Sequence, residues 1–353
     1  MAEKELKWYG ILAILFGTVI SFADPITDIL TLVEFYRANH KTWFGVGLCF
    51  ITLPSFSFSV MNFYFANDEI WCGWWTVCIF GCHPFFPAFV KLRTLFVYLK
   101  NLWRGNKIEP IEMNENPITV DELLVLSSFA GMAEAALESA PQFIIQLYAM
   151  TVQQESVIVQ MVSLPVSFFS LAWASVVTDG FRHGNGSNFS LKDKVLLFVT
   201  HLFILSSRLF AVALFTVSYK WWVTGVLIVH CTVIIIIICD VIWICGRELL
   251  VFTVFFFAFF NFCFCWLRDD RSVLYFVDET IRREKDLRRM LLLSNVMFVI
   301  ENITMILLFY FSHFPHTWYS LPVTICVCVF AVLGAEMRLS HLYFLKKESE
   351  NDV

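Results

Sequence analysis

Four polar side chains stand at four-residue intervals in an otherwise apolar stretch between Val120 and Thr151. They are Glu134, Glu138, Gln142 and Gln146, and together they are called the polar ladder below. Residues four apart lie on one face of an α-helix, so at a rise of about 1.5 Å per residue the ladder extends over roughly 18 Å. Carboxylate and amide groups in this arrangement could bind a charged ligand along the length of a helix.

The composition indicates which solvent surrounds that helix. Hydrophobic residues make up 58% of the 353 residues, only 16% are charged, and the mean hydropathy is +0.70. Such a chain is typical of a polytopic α-helical membrane protein. The net charge of −5 is small for this length and gives no reason to expect nucleic acid as a partner.

The apolar sequence divides into ten runs, of which two read as re-entrant helices. The third run carries Pro84 and Pro87 and then Lys91, and proline bends a helix by removing a backbone donor. The eighth has about nineteen residues, the minimum for a span. The runs are Trp8–Phe35, Trp43–Phe65, Trp71–Leu99, Val120–Thr151, Val157–Thr178, Val195–Val217, Trp221–Cys245, Leu249–Leu267, Met290–Phe311 and Trp318–Phe344.

The basic residues favour eight spans plus two re-entrant helices over ten full spans. Cytoplasmic loops are enriched in Lys and Arg, and the eight-span topology leaves only Arg37, Lys41 and Lys220 in outer loops. The sequence therefore predicts an all-α, multi-pass helical bundle with both termini in the cytoplasm. It further predicts two five-helix pseudo-repeats, 1–180 and 190–345, each with a re-entrant third helix, and a short cytoplasmic tail, 346–353.

Further polar residues lie inside the apolar runs. Asp24 and Asp28 are four apart in the first run, Asp179 closes the fifth, Arg208 lies in the sixth and Glu301 in the ninth. A central Asp or Arg costs about 2.5–3.5 kcal/mol of insertion free energy. We interpret Arg208 as the partner of one of the carboxylates. These charges either pair within the bundle and fix the helix register, or they line a polar route across the membrane.

The residues around the ladder resemble a known family. Glu138 to Gln142, followed by Ile145 to Tyr148, is similar to the ESAPQ-x-x-x-QLY signature of the XK-related membrane proteins. The resemblance extends over nearly the whole chain. Its other segments are ADPITDI at Ala23–Ile29, Trp173–Ser175 before Asp179, Ser206–Arg208 and Ile300–Asn302.

The resemblance implies eight spanning helices, two half-entering helices and cytoplasmic termini. It also implies a phospholipid scramblase in the plasma membrane, which moves lipids such as phosphatidylserine between leaflets without ATP and marks dying cells for engulfment. We expect no enzyme activity, cofactor or metal, and membrane phospholipids as the ligands, with an accessory single-span membrane protein as a further partner. The predicted lipid path consists of Asp24, Asp28, Glu134, Glu138, Gln142, Gln146, Asp179, Arg208 and Glu301.

Two other functions stay open from the sequence. A secondary transporter coupled to an ion or solute would also contain carboxylates near the midplane, broken helices and repeats. A membrane adaptor would instead dock a cytoplasmic lipid-transfer protein through the hydrophilic loop Lys100–Pro117. An intramembrane enzyme is disfavoured because the histidines, including His201 and His230, form no recognisable catalytic motif and read as packed or interfacial side chains.

Overall fold

The described part of the chain consists of helices, one π-helical turn and one small hairpin. The computed structural model describes residues 8–65, 84–103, 111–113, 116–118, 128, 131–132, 134–154, 157–182, 191–245, 284–312 and 317–351. The helices are α1 Trp8–Arg37, α2 Lys41–Phe65, α3 Phe86–Trp103, α4 Ala140–Gln153, α5 Ile158–Arg182, α6 Leu191–Tyr219, α7 Trp222–Cys245, α8 Glu284–Phe311 and α9 Ser320–Asn351. A π-helical turn, Ala135–Ser139, directly precedes α4.

Five helices in the described part of the chain are long and apolar enough to cross a membrane. These segments are Ile11–Arg37, Ile158–Asp179, Lys192–Tyr219, Leu292–Phe311 and Ser320–Ser340, and α7 contains a shorter apolar stretch, Trp222–Ile236. The multi-pass helical class is thereby confirmed. The count of eight spans stays a prediction. The eighth run lies outside the described residues, and the third is described only from Pro84 onward, where α3 follows.

The segment that follows α3 contains a short strand pair in an otherwise helical chain. Strand β1, Ile111–Met113, pairs antiparallel with β2, Asn116–Ile118, and Ile111 faces Ile118 across the pair. Three-residue strands are at the short end of the range for proteins, and helical periodicity gives no signal for them. The helical bundle therefore has a small hairpin attached to it.

Three helix connections reverse through a residue in the left-handed region. Asn39 follows α1 with φ 62°, Gln154 follows α4 with φ 55°, and Lys220 follows α6 with φ 47°. The amide of Gln154 donates to the carbonyl of Met150, as in a closing helical turn. A left-handed residue directly after a helix satisfies its last carbonyls and turns the chain back. The helices on either side of each connection are therefore joined by only a few residues.

The described helices divide into two compact units. The first unit contains α1–α3, the π-helical turn, the first part of α4 and the whole of α5. The second unit contains the last part of α4 and the helices α6–α9. In the first unit α1 packs against α2, α3 and α5. Aromatic edges fix two of these contacts, with ring centroids 5.1 Å apart for Phe16 and Trp173 and 5.5 Å apart for Phe22 and Phe89.

In the second unit α6, α8 and α9 pack against one another, and α7 contacts α6 and α8. Gly334 brings α9 close to the backbone of α6, since a Cβ at this position would lie 3.1 Å from the amide nitrogen of Ile204. Small residues at helix interfaces are typical of membrane proteins, where close packing replaces the hydrophobic effect. The predicted pseudo-repeat of the two halves stays a prediction.

Candidate functional site

The polar ladder begins in the π-helical turn. There the amide of Ala140 donates to the carbonyl of Ala135, five residues back, and Glu138 lies inside the turn. Pro141 is the second residue after this turn. It has no amide hydrogen, so it cannot donate the backbone hydrogen bond of an ordinary α-helix. The sequence predicts a local break just beyond Glu138. The structure places the irregularity at Ala135–Ser139, a turn that includes Glu138, and such turns occur frequently at functional sites.

The two glutamines of the ladder point into the first unit. Gln142 Nε2 donates to the carbonyl of Gly47 on α2 at 2.6 Å. Gln146 Nε2 donates to Asp28 Oδ1 on α1 at 2.9 Å and to Ser163 Oγ on α5 at 3.0 Å. The ladder therefore connects α4 to three neighbouring helices.

Asp24 and Asp28 lie at the centre of this arrangement, and both are buried. Asp24 accepts hydrogen bonds of 2.6 Å from Ser139 and from Ser167. Asp28 Oδ1 accepts a bond of 2.9 Å from Ser163 in addition to the one from Gln146. The hydroxyl donors were missed by the sequence analysis. Their spacing could have found them, because Ser163, Ser167 and Ser170 follow the i, i+4, i+7 pattern of one helical face.

Several acceptors in this region have no donor. Within the part of the chain that the structure describes, both carboxylate oxygens of Glu138, Oδ2 of Asp28 and Oε1 of Gln142, Gln146 and Glu134 are buried without a hydrogen-bond partner. A buried polar atom left unsatisfied costs about 1–3 kcal/mol. Glu138 is additionally repelled by Glu134, Asp28 and Asp24. All six of these atoms are acceptors, so the site is short of donors.

A cation from α3 enters the same region. The Lys91 ammonium donates to Ser21 Oγ on α1 and attracts the carboxylates of Glu134 and Asp24. The sequence analysis left Lys91 inside the third apolar run without a partner. We call this group the acidic cluster, and it comprises Asp24, Asp28, Lys91, Glu134, Glu138, Ser139, Gln142, Gln146, Ser163 and Ser167.

Arg208 lies in the second unit and has partners there. Its Nη1 donates to Asn302 Oδ1 at 2.8 Å, its Nη2 donates to Glu301 Oε2 at 2.7 Å, and the guanidinium lies 4.6 Å from the ring centroid of Phe298. Glu301 is the carboxylate that pairs with Arg208, as the sequence analysis expected of one acid. The pair connects α6 to α8.

His230 on α7 joins the same pair, a contact that the sequence analysis did not find. Its Nδ1 lies 2.8 Å from Glu301 Oε2 and 3.3 Å from Arg208 Nη2. Asn302 Nδ2 donates in turn to Ser207 Oγ at 3.2 Å. We call these five residues the arginine cluster: Ser207, Arg208, His230, Glu301 and Asn302.

Comparison with known protein families decides the family. The model of the family described as XK-related protein matches residues 12–346, nearly the whole chain. The chain belongs to the XK-related family.

Two relatives from Tetraodon nigroviridis illustrate the distance within the family. XK-related protein 9 is 27% identical over 190 residues, which cover 49% of this chain and 48% of that protein. XK-related protein 8 is 25% identical over 228 residues, which cover 59% of this chain and 54% of that protein. The chain therefore spans about half the length of the curated relatives that it matches.

The structure distributes the nine predicted path residues of this XK-related chain over its two units. Glu134, Asp24, Asp28, Glu138, Gln142 and Gln146 belong to the acidic cluster, and Asp179 is buried near the end of α5 in the same unit. Arg208 and Glu301 belong to the arginine cluster of the second unit, where the Glu301 side chain is 16% exposed. Among the described residues, no group of three or more His, Cys, Asp or Glu side chains is arranged to hold a metal ion.

Proposed function

We propose that this XK-related protein is a phospholipid scramblase, which lets lipids move between leaflets without ATP along the acidic cluster of the first unit. The observation that carries the proposal is the surplus of buried acceptors around Glu138, Asp28, Gln142 and Gln146. A lipid headgroup with an ammonium brings the N–H donors that these atoms need. Family membership supports the proposal, because the ladder and the aspartate pair coincide with the segments that carry the family resemblance.

The physical task of such a protein is to lower the barrier for a charged headgroup. A headgroup cannot enter hydrocarbon alone, since burying an unpaired charge or polar group is strongly unfavourable. Side chains at successive depths along α1, α4 and α5 replace part of its hydration, while the acyl chains stay in the surrounding lipid. The acidic cluster and the arginine cluster differ in how readily they could bind a headgroup. Both terminal nitrogens of Arg208 donate to Asn302 and Glu301, so Arg208 contacts a phosphate only after exchanging a partner.

The test is lipid exchange in liposomes that contain the purified protein. We expect Glu138→Gln to lower the exchange rate at least about tenfold, since it replaces an ionisable acceptor pair by an amide with one acceptor. The matched control is Glu34→Gln, because Glu34 lies on α1 near its end, is 32% exposed and pairs with Arg37. Undiminished exchange in a Glu138→Ala, Arg208→Ala double variant would remove the basis of the proposal. Proton-coupled solute uptake without lipid exchange would favour a secondary transporter.

The cellular setting is proposed with the activity. We place the protein in the plasma membrane, with phosphatidylserine among its lipids, engulfment of dying cells as the process and an accessory single-span membrane protein as partner. Cells that lack the protein should then expose less phosphatidylserine during apoptosis, measured by annexin V binding, and Glu34→Gln but not Glu138→Gln should restore the exposure.

A second candidate function is an adaptor for a cytoplasmic lipid-transfer protein. The hairpin β1–β2 supports it, since two short strands leave outer edges that can pair with a strand of another protein. Replacing residues 111–118 by a Gly/Ser linker should abolish co-purification of such a partner while lipid exchange in liposomes persists. Retained co-purification with the linker variant would exclude the hairpin as the docking element.

A further inference from the structure

Lys91 differs from the other charged residues of the acidic cluster in charge and in position. It is the cation of the cluster, it comes from α3, and it is partly exposed while Asp24, Asp28, Glu134 and Glu138 are buried. Its stem therefore reaches the surface of the unit, while its ammonium meets Ser21 inside. The charge of Lys91 therefore lies inside the buried polar region, and its stem connects that region to the surface of the unit.

The ammonium of Lys91 retains hydrogen-bonding capacity. Lysine carries three N–H donors, and among the described residues its hydrogen-bond partner is the neutral hydroxyl of Ser21. The carboxylates of Glu134 and Asp24 attract it electrostatically and hold it in place. Arg208 presents the opposite case, because its terminal nitrogens already donate to a carboxylate and an amide.

Gly131 leaves space beside this ammonium. A Cβ at position 131 would lie 3.0 Å from Lys91 Nζ and 3.3 Å from its Cε. A larger residue would crowd the charged end of the lysine, so the ammonium can take this position only because residue 131 has no side chain.

We propose that Lys91 binds the phosphate of the lipid headgroup, while the acidic cluster behind it accepts the ammonium. This rests on the proposed scrambling function and names the residue that makes the route specific for phosphate-bearing lipids. The chemistry is a charge-assisted hydrogen bond from a flexible ammonium to a phosphodiester oxygen, which forms and breaks without displacing an ion-pair partner. The ligand is the phosphate of a membrane lipid, in contrast to a soluble phosphate.

The experiment compares two acyl-labelled fluorescent lipids in the same liposomes, a phosphatidylserine, whose headgroup has a primary ammonium and a phosphate, and a glucosylceramide, whose sugar headgroup has no phosphate. We expect Lys91→Met to slow phosphatidylserine exchange about tenfold and to change glucosylceramide exchange less than about twofold. Lys91→Arg should keep most of the phospholipid rate. Lys100→Met is the matched control, because Lys100 lies on the same helix and is exposed. Equal slowing of both lipids, or of neither, would overturn the assignment.

A second variant and a binding measurement cover the case in which Lys91→Met does not fold or the wild-type protein moves no lipid. Gly131→Leu keeps every charge and crowds the ammonium, so it should reproduce the selective loss. Native mass spectrometry of the detergent-solubilised protein should show bound phospholipid that Lys91→Met and Gly131→Leu lose and Lys100→Met retains. Such binding without exchange would refute scrambling and leave the phosphate site standing. Binding that is independent of Lys91 would refute the site.

Soluble competitors identify the source of the phosphate. Inorganic phosphate and glycerophosphoserine at millimolar concentration should leave phosphatidylserine exchange unchanged, since a membrane lipid is held at the site by its acyl chains as well as by its headgroup. Inhibition by either compound would assign the site to a water-borne ligand and contradict the proposal.

Discussion

At the scale of single residues, the buried carboxylates of this protein fall into two kinds. Asp24 and one oxygen of Asp28 are surrounded by hydroxyl and amide donors, which compensate for lost hydration. Glu138 is buried without such donors in the described part of the chain. The first kind stabilises the bundle, and the second is the kind of group that a ligand can complete.

The contribution of a buried ion pair to the free energy of unfolding can be measured at Arg208 and Glu301. We expect Arg208→Met and Glu301→Gln each to lower the free energy of unfolding by about 3 kcal/mol, because each leaves the opposite group buried without its partner. The double variant should lose less than the sum, with a coupling energy of about 1–3 kcal/mol. Denaturant titration in detergent micelles gives the four free energies of the cycle.

The exposed pair Arg37–Glu34, with an N–O distance of 3.2 Å, is the control for this cycle. Its coupling should be below about 1 kcal/mol, since surface ion pairs are weak. Additive losses at Arg208 and Glu301 would contradict the assignment of these residues as a stabilising pair.

At the scale of helices, close approaches depend on residues without side chains. Gly47 lies against Leu32 and the amide of Gln142, and Gly334 lies against Ile204. In both places a neighbouring helix occupies the space that a Cβ would need. Nothing in the sequence indicates which glycines have this role, because the contact is made by residues far away along the chain.

Substituting Gly334 tests this interpretation. A Cβ there would meet Ile204 Cγ1 at 2.9 Å and its backbone nitrogen at 3.1 Å, so Gly334→Ala should separate α6 from α9 and destabilise the protein by about 1–3 kcal/mol. Gly225→Ala on α7 is the control, since nothing lies within 4 Å of its added Cβ. Alanine in place of a helical glycine with open space beside it should stabilise by about 0.5–1 kcal/mol. Thermal unfolding of both variants gives the comparison, and equal effects would refute the packing role of Gly334.

At the scale of the whole molecule, the sequence predicts on which side of the membrane each helix end lies, and this topology stays a prediction. The prediction places the turns at Asn39 and Lys220, which follow α1 and α6, outside the cell. It places the loop after Trp103, the last residue of α3, in the cytoplasm. Five helices in the described part of the chain are long and apolar enough to cross a membrane. The total of eight spans stays a prediction.

The topology is tested with short epitope tags. A tag inserted after Asn39 or after Lys220 should bind antibody on intact cells, because both turns are predicted to lie outside. A tag inserted after Trp103 should bind only after permeabilisation. Antibody binding to the tag after Trp103 on intact cells would overturn the eight-span arrangement. A tag at Ser349 checks the predicted cytoplasmic C-terminus in the same way.

The sequence by itself determined the membrane class, the polar ladder and the aspartate pair, because these depend on composition and on local spacing. It also determined that Arg208 needed a buried acid. The family was indicated by the resemblance of the segments around the ladder, and the family model shows it. The tertiary structure decided which groups meet. Ser163 reaches Asp28 across 135 positions of the chain and Ser167 reaches Asp24 across 143, and helical periodicity carries no information on contacts of that range.

The same reason applies to Lys91 and His230. In the sequence each is a polar residue within an apolar run, and only the packing of α3 on α1 and of α7 on α6 and α8 gives it partners. The π-helical turn at Ala135–Ser139 also required the structure, since Pro141 predicts a disturbance of the helix without fixing which turn absorbs it. The sequence therefore shows which residues are chemically unusual. The packing of helices that are far apart along the chain determines which residues they contact.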